Sequence, residues 1–177
     1  MPYKYKVRKR QGLMDIKALK PHSQSESLKY SQGYYTPVNK EKYCGGYPII
    51  YRSSWELRVC KLLDLSPEVK RWGSECISVK YFSSLDQKYH EYFPDFYFER
   101  TDNDGNTKHY VLEVKPKKYL TKPEQPKRVT EKSLKRFKYE AETFVRNTEK
   151  ARACEMFCKQ RGWEYKFVTE DSRIPIL

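Results

Sequence analysis

An α/β domain with a mixed central sheet flanked by helices, preceded by an extended basic arm, is the fold class that the 177-residue sequence predicts. Three observations predict it. Two runs rich in aromatic and branched residues, 92–98 and 108–115, flank a segment holding Asp104-Gly105, the pattern of two strands joined by a turn. Helical apolar spacing precedes them at 51–64 and follows them from 130 onward. Residues 1–47 keep no sustained apolar period, so they can bury little surface of their own.

The arm comes first. Residues 1–10 interleave Tyr3 and Tyr5 with Lys4, Lys6, Arg8, Lys9 and Arg10, and no apolar stretch or cleavage-like site follows, so this is not read as a targeting signal. Tyrosines among lysines can stack on bases or grip a partner protein. The spacing predicts a boundary after residue 47, with 48–177 forming one domain.

The first helix is predicted over 51–64, with Trp55, Val59, Leu62 and Leu63 on one face and Ser53 at its start. A strand is expected at 76–81, and Glu75 just before it is a second candidate for an upstream acid beside Glu56, or equally the end of a loop. The run 92–98, containing Pro94-Asp95-Phe96, should pair antiparallel with 108–115, containing Glu113-Val114-Lys115. A proline-punctuated loop over 121–128 leads to a helix from Thr130, with Leu134, Phe137, Ala141, Phe144 and Val145 on its inner face. Asn147 is expected to cap a further helix running to Gly162, and 163–168 closes the sheet. Trp55, Val59, Leu62, Leu63, Ile77, Phe96, Val111, Leu112, Phe144, Phe157 and Phe167 make the predicted core. No apolar run is long enough to span a bilayer.

Charge separates along this layout. Lys and Arg number 36 against 23 Asp and Glu, a net +13. The excess lies in residues 1–50 and 115–152, while 51–114 is slightly acidic. Basic ground around an acidic centre suits a polyanion held by the flanks and a cation held in the middle.

The chemistry of that middle follows from strand period. Side chains two apart on a strand share a face, so Glu113 and Lys115 project together. Asp95, ten residues before Gly105, stands in register near Glu113, eight residues after it. Two close carboxylates repel unless a cation joins them. Mg²⁺ takes one or two protein carboxylates and leaves its other positions to water and phosphate oxygens. Each residue also has a structural reading. Glu-x-Lys on a strand is often a solvated ion pair, and Ser53-x-x-Glu56 matches a capping box in which the glutamate bonds back to the helix start.

The order of these features resembles the PD-(D/E)xK nuclease superfamily, and within it the head-completion nucleases of contractile-tailed bacteriophages, themselves similar to the endonuclease subunit of heteromeric bacterial transposons. The resemblance is carried by Tyr51-Arg52-Ser53-Ser54-Trp55-Glu56, Trp72-Gly73-Ser74-Glu75, Pro94-Asp95-Phe96, Glu113-Val114-Lys115-Pro116-Lys117-Lys118 and Val168-Thr169-Glu170-Asp171. It implies a restriction-endonuclease-like αβββαβ core. It implies that Glu56, Asp95 and Glu113 hold Mg²⁺, one ion or two, with Mn²⁺ as a substitute, and that Lys115 assists the attacking water. The Val114 carbonyl, between two site residues, faces either the partner strand or the metal. The transposon relatives carry glutamine where Glu113 stands, so a charge there is not required in every member. Residues 1–47 carry no part of the match.

Function follows as an expectation: a Mg²⁺-dependent endonuclease of double-stranded DNA that trims or heals packaged ends before tails attach. It would act in the host cytoplasm during assembly and at the head–tail neck of the virion. Lys117, Lys118, Lys122, Lys127 and Arg128, after the second strand, are the expected phosphate contacts. Portal or neck proteins are candidate partners of the arm. A structural neck component that binds portal and DNA without cleaving is the competing reading, and a DNA-binding module with a decayed site is a third. Cys44, Cys60, Cys76, Cys154 and Cys158 form no Cys-x-x-Cys pair and are expected as packed thiols rather than disulfides or a zinc site.

Overall fold

The computed structural model describes residues 32–172. The proposed arm contacts of residues 1–31 lie outside them. Eight strands and two helices follow in the order β1 Gly33–Tyr35, β2 Ile49–Tyr51, α1 Ser54–Leu65, β3 Val69–Ser74, β4 Val79–Ser83, β5 Lys88–Tyr92, β6 Phe96–Thr101, β7 Thr107–Val114, α2 Glu131–Lys159 and β8 Glu164–Val168.

The central sheet has the order β3-β6-β7-β8. β3 and β7 run antiparallel to β6, and β8 lies parallel to β7, so the sheet is mixed. With the β4–β5 hairpin set aside as an insertion, α1, β3, β6, β7, α2 and β8 make the expected αβββαβ core. The predicted hairpin is present, in the register Phe96↔Leu112, Tyr97↔Val111 and Phe98↔Tyr110. Its turn is tied by Asp102, whose Oδ1 accepts the N–H groups of Asp104 and Asn106, and Gly105 takes the left-handed conformation (φ 81°) that favours glycine.

Both faces of the sheet are covered, and strand alternation divides the core. Phe96, Phe98, Tyr110 and Leu112 turn toward Val59, Cys60 and Leu63 of α1. Tyr97 and Val111 turn the other way, toward Cys154 and Cys158 of α2 and toward Val79, Tyr81 and Tyr92 of the β4–β5 hairpin. The cysteines are free thiols, and all but Cys44 are buried. Helix α1 begins where Ser53 Oγ accepts the Glu56 N–H and ends at Ser66, whose extended backbone is what a following proline requires. Among the described residues no helix is long and apolar enough to cross a membrane.

The structure differs from the expected layout in four places. Residues 33–47, expected in the arm, pack on the domain: β1 pairs antiparallel with β2, the Cys44 N–H donates to Trp72 O, and Tyr43 packs edge-on against Trp72. Asp64 supplies the anchor that the sequence hides. Fully buried, its carboxylate accepts Tyr35 OH, Val38 N–H and Asn39 N–H at 2.7, 2.7 and 3.0 Å. Second, residues 69–74, where the sequence pattern predicts no strand, form the outer strand β3. Third, the single strand 92–98 is two strands, because Pro94 has no N–H for the ladder: Tyr92 ends β5 and Phe96 opens β6. Fourth, the two helices expected after Thr130 are one. No proline or glycine interrupts 131–159, and Asn147 sits inside α2 rather than capping anything.

Asp64→Ala should destabilise the protein by roughly 3 kcal/mol, because it removes a fully buried acceptor shared by three hydrogen bonds. Urea unfolding measures this. A loss below about 0.5 kcal/mol, the range of ordinary surface changes, would mean that residues 33–47 do not depend on Asp64.

Candidate active site

β7 delivers Glu113 and Lys115 from one edge of the buried sheet, and the break around Pro94 delivers Asp95 from the neighbouring strand. Asp95 Oδ2 accepts the Val114 N–H at 2.7 Å, so it is fixed to the residue that separates Glu113 from Lys115. Lys115 Nζ donates to Glu113 Oε1 at 3.0 Å, and Tyr92 OH donates to Glu113 Oε2. Glu113 is 5% exposed. Lys115 keeps more contact with solvent, its side chain 29% exposed.

Electrostatics follow from this crowding. Burial, and next the Glu113 carboxylate, pushes the Asp95 carboxyl well above the usual range. Burial works against the charge on Lys115, but the carboxylates of Glu113, Asp95 and Glu56 outweigh it and raise the ammonium above its ordinary value. Burial first, then Glu113, raises Tyr92, which keeps it a hydrogen-bond donor. The Lys115 ammonium thus faces two carboxyl groups held on consecutive residues of β7, one on Glu113 itself and one bonded to the Val114 N–H.

Glu56 lies on the wall of a cleft of about 450 Å³ that borders the acid pair through Val114 and Lys115 and is lined also by Arg52, Trp55 and Tyr119. Its carboxylate is engaged at the helix start, where Oε2 accepts the Arg52 N–H at 2.8 Å and Oε1 accepts the Ser53 hydroxyl at 3.0 Å. The capping role is therefore formed. Among the described residues no three His, Cys, Asp or Glu side chains stand together as a ready ligand set. The structure brings Asp95, Glu113, Val114 and Lys115 together and leaves Glu56 beside them, close enough for its charge to act on Asp95. Two carboxylates and a backbone carbonyl are hard oxygen donors that fit Mg²⁺, which needs no third protein acid.

Glu75 contributes mainly through its backbone. Its N–H donates to Asp95 O at 3.0 Å from a left-handed conformation (φ 48°), and its carboxylate pairs with Arg52 at 2.7 Å. Trp55, expected in the core, is half-buried and lines the cleft.

Of the expected phosphate contacts, Lys118, Lys122, Lys127 and Arg128 are exposed. Lys117 is also exposed but tied to the turn after β8, at the same end of the sheet: its N–H donates to Glu170 and its Nζ to Asp171, at 2.8 and 2.9 Å.

Lys150 escaped the sequence reading. It reaches the acid pair from α2, with Nζ 5.1 Å from the Tyr92 ring centre and 5.8 Å from that of Tyr81. Burial, and next the nearby Lys115, lowers its pKa. Tyr165 of β8 belongs to the same group through its hydroxyl contact with Tyr92. A signal for Lys150 exists in the sequence: Lys150, Cys154 and Cys158 repeat every four residues and so share the face that α2 turns to the sheet.

A sequence model of the family described as "TnsA-like endonuclease N terminal" matches residues 66–170, from just before β3 to just beyond β8. A "Head completion nuclease" of Enterobacteria phage T4 is 35% identical over 140 residues, covering 78% of this chain and 91% of that protein. No solved structure matches the chain.

Proposed function

The chain belongs to the TnsA-like endonuclease family, and from that premise we propose that it hydrolyses phosphodiester bonds of double-stranded DNA with the help of Mg²⁺. The observation that carries the reading is the pairing of buried Glu113 with half-buried Asp95, with Lys115 Nζ 3.0 Å from Glu113 and on the wall of an open cleft. Asp95, Glu113 and the Val114 carbonyl would hold the ion, with Glu56 on the cleft wall available to a second. When bound, Mg²⁺ polarises a phosphoryl oxygen and lowers the pKa of a coordinated water.

The remaining work falls to side chains. Lys115, charged and on the cleft wall, can turn from Glu113 to orient the attacking water or to meet negative charge that develops on the phosphoryl oxygens. Tyr92 holds the second oxygen of Glu113 and so fixes how that carboxylate presents itself. The Val114 N–H does the same for Asp95. Lys118, Lys122, Lys127 and Arg128 contact phosphates and position the duplex without reading sequence. The name of the phage T4 relative supports a place in head completion, where the enzyme would trim or heal packaged DNA ends before tail attachment and meet portal or neck proteins through the arm.

Circular and linear duplex DNA, incubated with the protein in Mg²⁺ and in chelator, test the reading. Cleavage of both substrates in Mg²⁺ alone is expected. DNA left intact under every condition, with the protein still retained on filled heads, would instead favour the structural neck component. DNA affinity should fall log-linearly with salt, as counterion release from several phosphates requires. An affinity flat between low and moderate salt, measured by anisotropy, would contradict the phosphate contacts.

A further inference from the structure

Tyr119 lines two clefts: the one that holds Glu56 and Lys115, and a second of about 660 Å³ between the loop after β7 and the first turns of α2. The second cleft is walled by Lys118, Lys122, Arg136, Tyr139 and Phe144. Three cations, Lys118, Lys122 and Arg136, share that lining with three aromatic rings, Tyr119, Tyr139 and Phe144. Lys118 Nζ lies 4.7 Å from the centre of the Tyr119 ring, and Tyr139 is 67% exposed. Two acids, Glu124 and Glu140, also reach the wall. Glu140 pairs with Arg136 at 2.8 Å in an exposed i,i+4 contact of the kind that contributes little and exchanges readily. The surrounding segment, 115–152, holds thirteen basic and five acidic residues.

A paired duplex keeps its base faces stacked inside and offers only phosphates to such a surface. An unpaired strand offers both things the cleft is built from: a charged backbone for the cations and base faces for the rings. The volume lies within the range of pockets that take small organic ligands, and so suits roughly one or two nucleotides.

We infer that this second cleft receives an unpaired DNA strand adjoining the phosphate positioned at Lys115, with Tyr119 as the wall between the two. The preferred substrate is then DNA with unpaired nucleotides next to the cleavage point, such as a frayed or overhanging end. The inference rests on the nuclease reading for where that phosphate sits.

Fluorescence anisotropy in EDTA, where cleavage cannot intervene, compares a blunt duplex, the same duplex with a short overhang, and a single strand. The wild type should bind the overhang and the single strand more tightly than the blunt end. Tyr139→Ala should erase that advantage, a loss of roughly tenfold as expected for one stacked base, while blunt-duplex affinity and Mg²⁺-dependent cleavage of circular duplex stay unchanged. Tyr139→Phe, which keeps the ring, should retain the advantage. Equal wild-type affinity for blunt and overhanging DNA overturns the inference, as does a Phe variant that loses as much as the Ala variant. Unchanged affinity of Tyr139→Ala for all three DNAs also overturns it and would assign the cleft to a protein partner. An overhang preference in a protein that cuts nothing would sink the nuclease reading and leave the strand site standing; cleavage without the preference would do the reverse.

Discussion

Asp95→Asn should abolish metal-dependent cleavage and, in the absence of metal, make the protein more stable. The loss of turnover is expected to be about a thousandfold or more, because the several kcal/mol that a bound metal supplies is withdrawn with its ligand. The gain in stability comes from the same residue. Folding raises the Asp95 pKa through burial and the neighbouring Glu113 carboxylate. An unfolded chain releases this proton near the ordinary value of about 3.9. From there up to the raised folded value, the unfolded state binds fewer protons than the folded one, so the contribution of Asp95 to stability falls as pH rises. Above that window the full penalty is present. Asparagine carries no charge and can still accept the Val114 N–H, so the variant should melt above the wild type at neutral pH in chelator. Mg²⁺ should raise the melting temperature of the wild type and leave that of the variant unmoved. A variant that melts lower in chelator and responds to Mg²⁺ like the wild type would show that Asp95 is a structural acceptor and nothing more.

Lys115→Met separates the two roles open to the lysine. The substitution keeps the apolar stem and removes the charge that faces Glu113 at 3.0 Å. If Lys115 serves the water or the developing charge, turnover falls by roughly 10² to 10⁴ while Mg²⁺ affinity, read by calorimetry, stays within a few-fold. Without metal the variant should be less stable, since the buried acid pair loses its nearest cation, and Mg²⁺ should restore most of that loss. Parallel loss of metal affinity and turnover would reduce Lys115 to support for Glu113.

The legible part of this fold was local. β6 and β7 announce themselves because their aromatic and branched residues bracket Asp104-Gly105, and register then brings Asp95 to Val114 without any long-range information. β3 does not, because Lys70 and Arg71 precede Trp72 and Gly73, and no alternation survives in a strand of mixed burial. Gly73 has a packing reason that a sequence conceals: a Cβ there would stand 2.6 Å from Cys76 Sγ. β5 is polar along most of its length and shows its purpose only at Tyr92, which reaches Glu113 across 21 residues. The anchoring of residues 33–47 rests on Asp64, an acid on a helix whose spacing gives no hint that it is buried.

The meeting of Asp95, Glu113 and Lys115 was readable because two short motifs carry them on adjacent strands. The alternatives for Glu56 could not be separated by spacing, and its carboxylate does perform the capping bonds to Arg52 and Ser53. Tyr92, Lys150 and Tyr165 come from three further elements, and only the sheet and α2 together place them beside the acids. Their contribution is the environment: they bury Glu113, hold its second oxygen and set a cation behind it.

The most direct test is an anomalous difference map from crystals soaked in Mn²⁺. A peak is expected about 2.1 Å, a typical divalent metal–oxygen distance, from carboxylate oxygens of both Asp95 and Glu113, with Lys115 alongside. Ordered, Mn²⁺-soaked crystals with no density between those two carboxylates would contradict the shared metal site.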